Sequence, residues 1–159
     1  MSLTTDMQLF EIAAKHCVAL NAVVFKDQLN DMFLRPGGYI INMADSDSQG
    51  THWVAFHIDD GKKNDAIAYF DSFGVNPPLE VRDSLKKIGI KVLVSDKHIQ
   101  NINSGWCGIY VLFFLWFMQH HKKLKLEKRF ENFLNLFSDD VEKNLTILKK
   151  LFPVKIPDV

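Results

Sequence analysis

The run IYVLFFLWFM, Ile109 to Met118, is ten consecutive apolar residues, and no helical arrangement of it leaves a polar face. A helix that is apolar all round lies either inside a protein or inside a bilayer. At about 1.5 Å per residue the run covers roughly 15 Å, half of a hydrocarbon core of about 30 Å. It is therefore read as a buried central helix, from Cys107 to about His121, and the remaining chain must wrap it. The 159 residues, 47% of them apolar, suffice for that and for little more, so residues 1–159 are read as a single domain.

The nineteen Lys plus Arg balance nineteen Asp plus Glu, which gives no signal for a nucleic-acid or membrane surface. The sum hides a gradient: residues 1–119 carry ten basic and thirteen acidic side chains, residues 120–159 nine and six. The basic run HHKKLKLEKR, 120–129, is read as a solvated face. Two cysteines, Cys17 and Cys107, form no CxxC pair, which argues against a disulfide framework or a zinc ribbon and for reduced thiols. The start, MSLTTDMQLFEIAAKH, lacks the pattern of a signal peptide, so an intracellular, reducing location is expected.

Leu9, Phe10, Ala13, Ala14 and Cys17 recur at helical spacing behind the cap candidates Thr5 and Asp6, predicting a helix over about 6–20 with Cys17 on its apolar stripe. After Pro36-Gly37-Gly38, residues 39–43 predict a short strand, followed by a polar loop to Gly50. HWVAFHID (52–59) and AIAYFD (66–71) flank the turn-forming DGKKND and predict a hairpin. Leu79 to Ile88 reads as an amphipathic helix, KVLVS (91–95) as a further strand, and Glu127 to Leu151 as one or two surface helices. That order defines an α+β domain.

Cys107 follows a Ser104-Gly105 break and opens the apolar helix. Unsatisfied amides and the helix dipole favour a thiolate at such a position, and the Cys107 N–H itself is placed to donate to an oxyanion. A nucleophilic thiol needs a base, and the hairpin selects one of six histidines. If paired residues sum to about 123, His52 lies opposite Asp71, close enough for the carboxylate to accept the Nδ1 proton and leave Nε2 for the thiol. His57 falls on the other face, as a packing or surface residue. His120 and His121 read as a basic helix end. Trp53 and Trp106, beside the base and the nucleophile, are candidate walls of a peptide groove, and Asn42 a candidate support for the site.

GTHWVAF (50–56), YFDSFG (69–74) and QNINSGWCGIY (100–110) resemble the adenovirus-type cysteine proteases, with closest similarity to the maturation proteases of virophages and polinton-like elements. The resemblance runs from about Val24 to Phe117. It implies a papain-like, adenain-like fold: a small mixed sheet, a buried central helix starting at the nucleophile and packed C-terminal helices. It also implies a cysteine endopeptidase that cuts viral capsid precursors near glycine, in the virus factory and the virion. In that scheme His52 is the general base and acid, Asp71 orients it, Cys107 attacks, and Gln100 completes the oxyanion hole. Asp71 stands where the adenovirus enzymes carry Glu, while the ubiquitin-like-protein proteases of the same fold carry Asp. A deconjugase is thus the alternative, and an inactive binding scaffold a third. Between Leu79 and Gln100 there is no cysteine to bond an activating peptide, and neither that cofactor, DNA nor a metal is expected.

Overall fold

The computed structural model describes residues 4–46, 52–60 and 66–155; the hairpin turn at 61–65 and the end of the polar loop at 47–51 lie outside them. Helix α1 (Asp6–Lys15) leads into strand β1 (Ala22–Phe25), a 3-10 helix (Lys26–Asp31) and strand β2 (Gly37–Asn42). Strands β3 (Trp53–Ile58) and β4 (Ala66–Phe70) form the hairpin, followed by α2 (Leu79–Lys86) and β5 (Lys91–Val94). The chain ends in α3 (Cys107–His120), α4 (Leu126–Leu134) and α5 (Val141–Leu151).

The strands lie in chain order, β1-β2-β3-β4-β5. The outer pairs are parallel and the two inner pairs antiparallel, so the sheet is mixed. Every residue of β3 is buried, as a central strand covered on both faces requires. Trp53 and Ala55 pack with α3, whereas Val54, Phe56 and Ile58 pack with Val81 and Leu85 of α2 and with Leu29 of the 3-10 helix. Strand β1 escapes the sequence pattern because AVVF is only four residues, all half-buried.

Helix α3 is the buried helix the apolar run predicts: ten of its fourteen residues are buried. Phe114 stacks on Phe70 of β4 and meets Phe133 of α4 at 5.5 Å. Truncating such a ring to Ala costs about 3–5 kcal/mol, so α3 contributes a large share of the stability of the fold.

Two expectations about the helical segments fail. Helix α1 starts at the Thr5 cap, with a capping box to Gln8, but ends at Lys15. Its buried stripe is Leu9, Ile12 and Ala13; Ala14 faces solvent and Phe10 is half-exposed. Cys17 lies beyond the helix, exposed, with φ of 56°. The apolar spacing was real, but a chain reversal toward Val18 ended the helix earlier. The basic run is likewise not all solvated: Arg129 is 2% exposed. Its guanidinium donates to the carbonyls of Leu124 and Met118 and to Asp59 Oδ2, and so crosslinks α4, the end of α3 and the end of β3.

Candidate active site

The site forms where three chain segments end on one rim of the sheet. His52 immediately precedes β3, Asp71 immediately follows β4, and Cys107 is the first residue of α3. The hairpin register is two residues from the predicted one: Ala55 pairs with Phe70 and His57 with Ala68, so partners sum to 125. A slip of two keeps every side chain on its face, whereas a slip of one would have separated the pair. Continued past the strands, this register sets His52 against Phe73 and makes Asp71 its diagonal neighbour. Diagonal Cβ atoms lie about 7–8 Å apart, within reach of an imidazole and a carboxylate.

The His52 ring accordingly stacks on Phe73, with centroids 4.2 Å apart and planes 10° from parallel. Its Nε2 lies 2.8 Å from Asp71 Oδ1. The predicted ring assignment is reversed: Nε2, not Nδ1, meets the carboxylate, because diagonal placement brings the far end of the ring to Asp71. The buried Nδ1 makes no hydrogen bond to a nitrogen or oxygen, and Cys107 is the other group that acts on the ring through a hydrogen bond and its charge. Burial alone would push the His52 pKa down, but the hydrogen bonds and charges of Asp71 and Cys107 outweigh it and raise the pKa to about 9.

Asp71 is 3% exposed and starts a tight turn. Its Oδ1 also accepts the Phe73 N–H at 2.8 Å, and its carbonyl accepts the Gly74 N–H at 2.9 Å. Gly74 needs φ of 72°, and a Cβ there would come within 2.6 Å of the Asp96 carbonyl. The Ser-Phe-Gly sequence after the acid is thus what lets the carboxylate hold the ring from a fixed turn.

Cys107 is 2% exposed, so little of its surface meets solvent. Its N–H belongs to the first turn of α3 and has no intrahelical acceptor. A Cβ on Gly108 would collide with Thr4 Oγ1, and the Thr4 carbonyl accepts the Trp53 indole N–H at 3.1 Å. The N-terminal segment therefore closes one side of the site, and only glycine lets it approach the helix.

Gln100 is 1% exposed. Its Oε1 accepts from Ser72 Oγ at 2.5 Å and its Nε2 donates to the Ser104 carbonyl at 2.8 Å. Those two bonds tie its amide to the turn that carries Asp71 and to the loop that delivers Cys107. A primary amide has two hydrogens, and one is thereby spent. Ser72, fully buried, and Phe73 were missed by sequence reasoning. The signal for Phe73 was its register partner: a sum of 125 would have named it.

The two candidate groove walls face different cavities. Trp53 lines one of about 610 Å³ with Thr4, Thr5, Val23, Phe25 and Gln28. Trp106 lines one of about 460 Å³ with Pro153 and Val154, under Lys149 Nζ at 4.8 Å from its ring. Asn42 accepts the Ala44 N–H of its own loop and lines the Trp53 cavity. His120 Nδ1 lies 2.8 Å from the Trp116 carbonyl, as a basic helix end should. Among the described residues, no cluster of His, Cys, Asp or Glu could hold a metal ion, and no helix is long and apolar enough to cross a membrane.

A mixed five-stranded sheet against a buried helix that begins at a cysteine is a papain-like, adenain-like cysteine protease fold. The solved structures similar to this chain include the ASFV pS273R protease, at TM-score 0.65 and 19% identity, over 98% of this chain and 68% of that one. The selenomethionine form of that protease gives 0.63 and 20%, over 97% and 69%. At such identities the likeness is one of fold. No family model matches the sequence, and no curated protein matches it.

Proposed function

We propose that the chain is a viral cysteine endopeptidase that cuts structural precursors at glycine-containing sites through an acyl-enzyme. The observation that carries this reading is the His52 ring, bonded to Asp71 on one nitrogen at 2.8 Å and acted on by Cys107. An imidazolium that persists to about pH 9 beside a thiol at a helix N-terminus describes a thiolate–imidazolium pair ready at neutral pH.

The Cys107 sulfur attacks the scissile carbonyl. The oxyanion is met by the Cys107 N–H and by the uncommitted amide hydrogen of Gln100. His52 Nδ1 gives its proton to the departing amine, leaving a thioester on Cys107, and then takes a proton from the water that hydrolyses it. Asp71 holds the ring and stabilises its charge throughout. The cavity beneath Trp53, apolar along Val23 and Phe25, is the place for substrate residues on one side of the cut.

Incubation with capsid precursors, followed by mass spectrometry of the new termini, is expected to find cuts beside glycine. A Cys107→Ala protein that produced the same termini would end the proposal. Asp71 in place of Glu favours a second reading, removal of ubiquitin-like modifiers. A ubiquitin-like probe with an electrophilic C-terminus that labelled Cys107, with no precursor cut, would support it.

A further inference from the structure

The C-terminal helices have so far only covered α3, yet they grip the loop that carries Gln100. Lys97 Nζ donates to the carbonyls of Leu134 and Phe137, at the end of α4 and just after it. Asn101 Nδ2 donates to Glu142 Oε1 of α5 at 2.7 Å. Between them, Asn144 Nδ2 donates to the Ile99 carbonyl at 3.0 Å across forty-five residues of chain. Asn144 is fully buried within α5, where asparagine is a poor helix former and an unbonded amide would be costly. Its other bonds, from Ser138 N–H to Oδ1 and from Nδ2 to the Ser138 carbonyl, fix its amide plane. On the opposite side the same loop is held by the N–H groups of Ile99 and Gln100, both donating to the Ser72 carbonyl.

The peptide unit before Gln100 is thus clamped from two directions: by the turn that carries Asp71 and by α5. From this juxtaposition we infer that the α4–α5 pair is a positioning device for the oxyanion donor, with Asn144 as its central positioning residue. The inference rests on the reading of Gln100 as that donor. Donors must sit within a few tenths of an ångström of their place to stabilise a tetrahedral oxygen, and a loop tied only by Ser72 could swing. The ties also give this stretch of the sequence a task, since neither α4 nor α5 supplies a residue of the His52–Asp71–Cys107 set.

The test uses the full chain, an internally quenched peptide with a Gly–Gly bond and a peptide aldehyde ending in glycinal. Asn144→Leu, close in size, is expected to lower kcat about 10–100-fold with KM within about 3-fold, short of the roughly 10²–10³ lost with an oxyanion donor. Aldehyde affinity should fall by the same factor, since its hemithioacetal needs the same donor. Alkylation of Cys107 by iodoacetamide needs no oxyanion and should keep its rate and pH profile; a distorted site would change both. In a Gln100→Ala background the Asn144→Leu effect should vanish. If Asn144→Leu does not fold, Lys97→Met and Asn101→Ala should each lower kcat about 3–10-fold by loosening the same loop.

Retained kcat in these variants, or an Asn144 effect that persists undiminished without Gln100, overturns the inference. An active Gln100→Ala protein would instead overturn the reading beneath it.

Discussion

The molecule contains the same three residue types twice. His52 and His57 sit at the two ends of β3, and each turns Nε2 to an aspartate, at 2.8 Å to Asp71 and 3.4 Å to Asp59. Each ring has a buried Nδ1, and each has a cysteine nearby: Cys107 acts on His52, and Cys17 lines a cavity of about 320 Å³ with His57 and Asp59. The differences lie in what else holds the acid and where the thiol stands. Asp59 gives its second oxygen to Arg129 at 2.7 Å. Burial pushes the Asp59 carboxyl up, but His57 and Arg129 together hold it below the usual carboxylate range. That set is a crosslink. Among the described residues Asp71 pairs with no cation but the ring itself, and its thiol heads a helix whereas Cys17 lies in a loop. Chemistry therefore follows from the surroundings of the three groups, not from their presence.

The sharpest way to break this comparison is to remove each ring. His52→Ala is expected to lower kcat/KM by about 10⁴-fold, while His57→Ala stays within about 3-fold per folded molecule, as measured with the quenched peptide. The reverse asymmetry should appear in stability. Arg129→Met leaves the partly buried Asp59 with His57 alone and the Leu124 and Met118 carbonyls without their donor, and should cost about 2–3 kcal/mol in a urea titration, with kcat of the folded fraction intact.

The His52–Asp71 end can be probed by pH. A raised His52 pKa means the imidazolium survives until about pH 9, so activity should hold to there and fall above it. The stability gained from the pair is likewise complete below the ordinary histidine value of about 6.5 and lost as pH climbs through 9. Asp71→Asn removes the charge that does most to hold the proton, and the basic limb should move down toward neutrality. At pH 8 that costs roughly tenfold or more in rate. The smallest effect separates the thiols: iodoacetamide at pH 6 should label Cys107 and spare Cys17, although Cys17 is the exposed one. Equal labelling would erase the distinction.

Much of this was legible because it depends on residue type and period. Ten apolar residues in a row demanded a buried helix, and α3 is one. The β-rich runs WVAFHI and AIAYF on either side of a turn-forming stretch marked the hairpin, and parity alone kept His52 and Asp71 on one face even though their register was misjudged by two. His52, Asp71 and Cys107 could be nominated from the sequence because a base, its orienting acid and a nucleophile at a helix start each carry a residue-type signal, whereas Gln100 entered only through the family resemblance.

What the sequence by itself determined is therefore the set of candidate groups and, for His52 and Asp71, the face of the hairpin they share: side-chain direction follows from backbone period within a few residues. Only the tertiary structure decided which ring nitrogen meets Asp71, that Phe73 lies flat on the ring, that Arg129 is buried and that Asn144 reaches the peptide unit before Gln100. Each of those joins residues distant in the chain or turns on a register shift of a few ångströms, and such contacts are set by how the elements pack rather than by the order in which they occur.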